Sequence, residues 1–323
     1  MRTFALLLMC GLAIAQTPMS SRHLTKADVD RLMKDLSNWG RWGKDDQIGT
    51  VNLITPAKRM EGLAQVKDGV SVSLARDVEK VKAADNPAPF VQTVTHTGAN
   101  PTGQFVVDTY SVDYHGQAHT HMDTLAHIFY EGKMYNGVPV SSVTEEGTER
   151  NGIGNFKEGI MSRGVLIDIP KLKGVEWLEP GAAIYPEDLD AWEKMAGIHI
   201  ESGDVVFIHT GRWARRAAKG PWDAGAKGAG LYATCAKWLH ERDVAIVGSD
   251  LGTDVAPSGI AGVGNPLHQL LLVAMGTPIL DNCDLEAVSK AAADRKRWVF
   301  LLMAAPLAVP HGTGSPLNPI ATF

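Results

Sequence analysis

Apolar and polar positions change period along this chain. In "LTKADVDRLMKDL", Leu24, Val29, Leu32, Met33 and Leu36 recur at near-helical spacing behind Thr25, a hydroxyl suited to an N-cap, which predicts a helix. Between residues 70 and 125 no helical period appears, and "VSVSLARDV" through "FVVDTYSVDYH" reads as consecutive strands. Further on, "RGVLIDIP", "GDVVFIHTG", "DVAIVGSD" and "RWVFLLMAA" are continuous apolar runs of the kind buried on both faces of a sheet. Helical segments alternate with them. "YPEDLDAWEKMAG" places Pro186 at a first helical position, acids in the first turn and Gly197 as a stop. "LYATCAKWLHER", "NPLHQLLLVAMG" and "DLEAVSKAAADR" are the others, the last capped by Asp284. The alternation predicts a mixed α+β domain of α/β type, its β-rich first half packed against a β/α second half.

Composition excludes several function classes. The 323 residues carry 31 basic and 36 acidic side chains, a net charge of −5, which leaves no electrostatic footprint for nucleic acid. The opening "MRTFALLLMCGLAIAQTP" has a basic Arg2, a short apolar stretch and the small-x-small "AIA" of a cleavage site. Residues 1–15 therefore read as a secretory signal peptide, 16–37 as an N-terminal arm and helix, and 38–323 as the domain. The expected location is exported, periplasmic or secreted, with no membrane association after cleavage. Cys235 and Cys283 then remain, and their spacing does not decide between a disulfide and two buried thiols.

The densest chemistry is "HGQAHTHMDTLAH", residues 115–127, four of the eleven histidines and an aspartate. If the strand beginning near Phe105 runs on through it, period 2 puts His115, Gln117, His119, His121 and Asp123 on one face. Donors at 119, 121 and 123 then converge on one cation, which needs ligand atoms about 2.0–2.2 Å away. His127, just past the strand, is placed to act as general base toward a water activated by that ion. Ser-nucleophile chemistry has no local signature, because no Gly-x-Ser-x-Gly occurs.

"THMDTLAH" resembles the core motif of the cyclase family, which includes bacterial kynurenine formamidase, isatin hydrolase and trans-dienelactone hydrolase. "WGKDDQIGTVNLIT", "YEGKMYNG", "NPLHQLLLVAMGTPILDN" and "GTGSPLNPIATF" extend the likeness over roughly residues 38–323. The resemblance implies a swivelling β/β/α fold, a divalent ion (Zn or Mn), hydrolysis of a small cyclic or N-acyl amide or a lactone, and a dimer or tetramer. His121 and Asp123 match metal ligands of the family. His127 matches its second ligand or base, and His268 and Asp281 match the residues that complete the site. The family's histidine four residues before His121 is here Gln117, and its glycine before the threonine is His119. Either supplies the missing donor, and imidazole is the better ligand, which favours His119. The helix start at Asn265–Pro266 is expected to keep His268 neutral. His209 and Asp250, at strand ends, are weaker candidates, and Arg212 is a candidate for orienting an anionic substrate. A metal-dependent cyclase or lyase, or an exported metal-binding protein without turnover, remain the alternatives.

Overall fold

The structure is a computed structural model and describes residues 22–99 and 102–323. The signal peptide expected over residues 1–15 lies outside the described residues. Among the described residues nine strands form the main sheet: β1 (Ser71–Ser73), β2 (His121–Asp123), β3 (Ile160–Asp168), β4 (Val205–His209), β5 (Ile246–Ser249), β6 (Ile279–Asp281), β7 (Val299–Ala304), β8 (Gly314–Pro316) and β9 (Ile320–Thr322). Their spatial order is β1-β9-β7-β3-β4-β5-β6-β2-β8. The four central strands β3 to β6 are parallel; all pairings outside them are antiparallel. Every residue of β4 and β5 is buried, as the unbroken apolar runs require when helices cover both faces.

The helices follow the expected signals. Thr25 caps helix Lys26–Asp35 in a capping box with Asp28, and Val29, Leu32 and Met33 join the core. Helix Pro186–Ala196 starts on its proline and stops at Gly197 in the left-handed conformation. The segment after Asn265 is helical from Pro266 to His268 and continues as a π-helical turn, Gln269–Met275, buried from Leu270 onward. No helix among the described residues is long and apolar enough to cross a membrane. Cys235 and Cys283 are both free and buried.

Two expectations are corrected. The β-rich first half is not a layer of its own: β1 and β2 lie near opposite ends of a sheet whose centre comes from the second half. The strand expected through the histidines is also interrupted. Val107–Ser111 belongs to an exposed two-stranded hairpin with Val91–His96, residues 112–120 form an irregular segment, and β2 begins only at His121. That segment must pass from a solvated hairpin into a buried sheet, and no single straight strand does both.

Candidate metal centre

β2 lies antiparallel to β6, with His121 opposite Asp281 and Asp123 opposite Ile279. Paired residues point to the same side of a sheet, so His121, Asp123 and Asp281 share one face. Asp281 ends a parallel strand, and the crevice outside the carboxyl ends of such strands is where α/β sheets form ligand sites. β8 closes the other side of β2. A Cβ on Gly314 there would meet the Met122 carbonyl at 2.6 Å and the His115 ring at 2.7 Å, so the close approach needs a glycine.

Two overlapping donor groups result: His115, His121 and Asp123, and Asp123, His268 and Asp281, with ligand atoms within 4.8 Å of one another in each. Asp123 Oδ1 lies 2.8 Å from His115 Nδ1 and 3.4 Å from His121 Nε2. Its Oδ2 lies 3.8 Å from both His127 Nε2 and His268 Nε2. His268 Nε2 is 3.2 Å from Asp281 Oδ2. His115 and His127 stack in parallel with ring centroids 4.0 Å apart.

The donor set fits a divalent cation. Ligands held tetrahedrally at about 2.0–2.1 Å lie about 3.3 Å apart, and the spacings above bracket that value. His115 Nδ1 and Asp123 Oδ1 are buried without a hydrogen bond of acceptable geometry, an expensive arrangement unless a cation is the intended partner. The ring orientations agree. The Nδ1 of His121 donates to the His119 carbonyl at 2.8 Å, and the Nδ1 of His268 donates to Asp254 at 2.5 Å. In the neutral rings this leaves both Nε2 atoms with their lone pairs facing the carboxylates, the pattern by which outer residues fix the tautomer of a metal-binding histidine. Thr253 likewise donates to Asp281 Oδ1 at 2.9 Å.

Electrostatics bind the cluster together. Burial opposes ionisation of Asp123, but the imidazoles of His121 and His115 outweigh it and hold its carboxyl well below the ordinary range. Burial likewise opposes charge on His121, yet Asp123 raises its pKa. On His127 burial wins, and the neighbouring imidazoles add to it, so its pKa falls to about 4. His268 departs from expectation. Burial opposes its charge, but Asp254 and Asp281 push its pKa well up. The helix start that was to keep it neutral is already capped by Asp254, whose carboxylate accepts from the backbone N–H groups of Leu267 and His268.

The structure thus brings together His121, Asp123, His127, His268 and Asp281. It does not bring in His119, whose imidazole stands outside the cluster, 6.3 Å from the Phe90 ring, while its carbonyl orients His121. The imidazole supplied from upstream is that of His115, reached by the bend at 116–119. Gln117 lines the chamber in front of the cluster but belongs to neither donor group. Asp254 had no local sequence signal, since its partner lies fourteen positions on.

Arg212 is corrected as well. Its side chain is 1% exposed and cannot greet a substrate. The guanidinium donates to Asn282 Oδ1 at 2.8 Å, to Asp85 at 3.3 Å and to the Gln117 carbonyl. Asn282 in turn donates to the Gly116 carbonyl at 2.8 Å. These bonds clamp the segment carrying His115. Asp250 is structural too: its carboxylate accepts from the backbone N–H groups of Thr210, Gly211 and Arg212 at the start of helix Arg212–Lys219. His209 sits among Asp168, Glu286 and Asp250 at 3.2, 3.4 and 3.9 Å. Burial opposes its charge, but these acids push its pKa to about 10. Glu286 and Asp168 also accept backbone N–H groups, so the group serves as an ionic hub joining helix starts.

A parallel-centred sheet carrying a His/Asp donor cluster at its strand ends defines an α+β protein with a candidate divalent-metal centre. The sequence profile of the family described as "Putative cyclase" matches residues 51–255. A crystal structure described as a novel cyclase is 31% identical, with a TM-score of 0.81, covering 90% of this chain and 99% of that one. The chain belongs to the cyclase family. Isatin hydrolase A from Ralstonia solanacearum shares the fold at 22% identity and a TM-score of 0.55, over 81% of this chain and 94% of that one. Isatin hydrolase A from Labrenzia aggregata, bound to benzyl benzoate, gives 21% and 0.56, over 81% and 96%. No match was found among curated proteins.

Proposed function

We infer that the protein is an exported metal-dependent hydrolase acting on a small cyclic or N-acyl amide, or a lactone. The observation that carries this reading is the convergence of His115, His121, Asp123, His268 and Asp281 on one chamber, with His127 beside them. These side chains would hold a Zn or Mn ion. Such an ion polarises a carbonyl and lowers the pKa of a nearby water.

The chain's own residues carry the proton. His127 is partly exposed at the chamber wall and neutral at pH 7, so it is ready to accept. It takes a proton from the attacking water as the water oxygen bonds to the carbonyl carbon. It returns that proton to the leaving nitrogen or oxygen as the C–N or C–O bond breaks. The products are a carboxylic acid and an amine or alcohol, joined in one molecule when the substrate is cyclic. Asp254 and the His119 carbonyl hold His268 and His121 in the tautomer this needs.

Metal analysis of the purified protein, with hydrolysis assays on isatin, N-formylkynurenine and dienelactone in oxygen-18 water, tests the reading. Stoichiometric zinc or manganese and one labelled carboxylate oxygen are expected. Protein that takes up no divalent ion, or a product that carries no label, sinks it.

A further inference from the structure

The chamber itself is small and polar. Its 160 Å³ hold about five waters, less than most small-molecule sites enclose. A second, open groove of 610 Å³ adjoins it, and the two share Gly225, Ala256 and Asn265 as common wall. The groove is formed by the glycine-rich stretch 256–265 facing Gly225 and Ala226. Ser258 and Asn265 are its only polar side chains, and none of its wall residues is charged. The Ser258 hydroxyl is already spent on the Val263 carbonyl at 2.5 Å. Among the described residues no lysine or arginine lines the chamber, and Arg212 is buried away from both spaces.

We propose that the groove receives an uncharged, apolar substituent of the substrate while the scissile carbonyl occupies the chamber. The site then selects neutral amides or lactones carrying such a tail and rejects tails ending in a carboxylate. The proposal rests on the hydrolase reading. It goes further by assigning substrate class to the 256–265 segment, because a buried or half-buried anion there would lack any counter-charge.

Product mimics test it without requiring turnover. Linear monocarboxylates from butanoate to decanoate, and α,ω-dicarboxylates of the same lengths, are titrated calorimetrically into the zinc-loaded full-length mature protein. Monocarboxylate affinity is expected to rise up to about fourfold per methylene, and each dicarboxylate to bind at least about tenfold more weakly than its monoacid. Ala261→Lys, an exposed groove position, should reverse that preference. Asp123→Ala should abolish binding of every mimic. Flat affinity along the series, or dicarboxylates binding as well as monoacids, overturns the proposal and leaves the hydrolase reading standing. Failure to take up either zinc or manganese, or unchanged binding in Asp123→Ala, overturns the hydrolase reading and this proposal with it.

Discussion

His115 Nδ1 lies 2.8 Å from Asp123 Oδ1, and both atoms are buried without a hydrogen bond of acceptable geometry. The contact joins an irregular segment to a buried strand, and it makes His115, rather than His119, the imidazole that completes the donor cluster. His115→Ala is therefore expected to lower metal affinity by tenfold or more, and His119→Ala to leave it within a few fold, as read by competition with a zinc chelator. Equal losses in both variants would remove the distinction.

Asp254 touches no donor atom of the cluster other than through His268, whose Nδ1 it holds at 2.5 Å. Asp254→Asn should cost about 10–100-fold in metal affinity. It should also cost some stability through the weakened helix cap. The affinity loss, unlike the cap loss, should be largely specific to this variant when compared with Asp284→Asn, which lies at another helix start.

On the proposed mechanism His127 relays a proton between water and leaving group and does not hold the ion. His127→Gln is expected to keep metal content near that of the parent while kcat falls by about 10²–10⁴. Full kcat in that variant would move the base elsewhere.

Arg212→Met should act on stability and on the metal together, because the guanidinium braces the segment carrying His115 from inside the core. Removing it leaves Asp85 short of one partner, with a cost of about 3–5 kcal/mol for breaking a buried pair. Arg216 keeps its own bonds to Asp85 and softens that loss. A variant with unchanged Tm and a raised KM for anionic substrates would restore Arg212 to a substrate role.

His209 gives stability a pH dependence. Its folded pKa of about 10 stands above the ordinary 6.5, so the charged form is favoured by folding. That contribution is fully present below about pH 6.5 and is lost as pH rises through about 10. Denaturant unfolding between pH 7 and 10 should show stability falling by about one proton's worth of slope, and His209→Gln should flatten it. Stability that rises over this window in the parent would contradict the assignment.

The sequence alone determined the local elements and the residue types of the chemistry. Thr25, Pro186 and Gly197 mark helix ends because caps and stops act within one turn, and the runs in β4 and β5 read as buried because nothing polar interrupts them. His121, Asp123 and Asp281 were legible as a group through the family likeness and the alternation within a strand. What only the tertiary structure decided is the path between elements. A strand's period assigns faces as far as the strand lasts, and here it ends at Ser111 and resumes at His121. Which histidine turns inward across the gap depends on the bonds from Arg212 and Asn282 to the carbonyls of Gly116 and Gln117. Asp254 and the Arg212 clamp are set the same way, by distances between residues far apart in sequence, which no local pattern encodes.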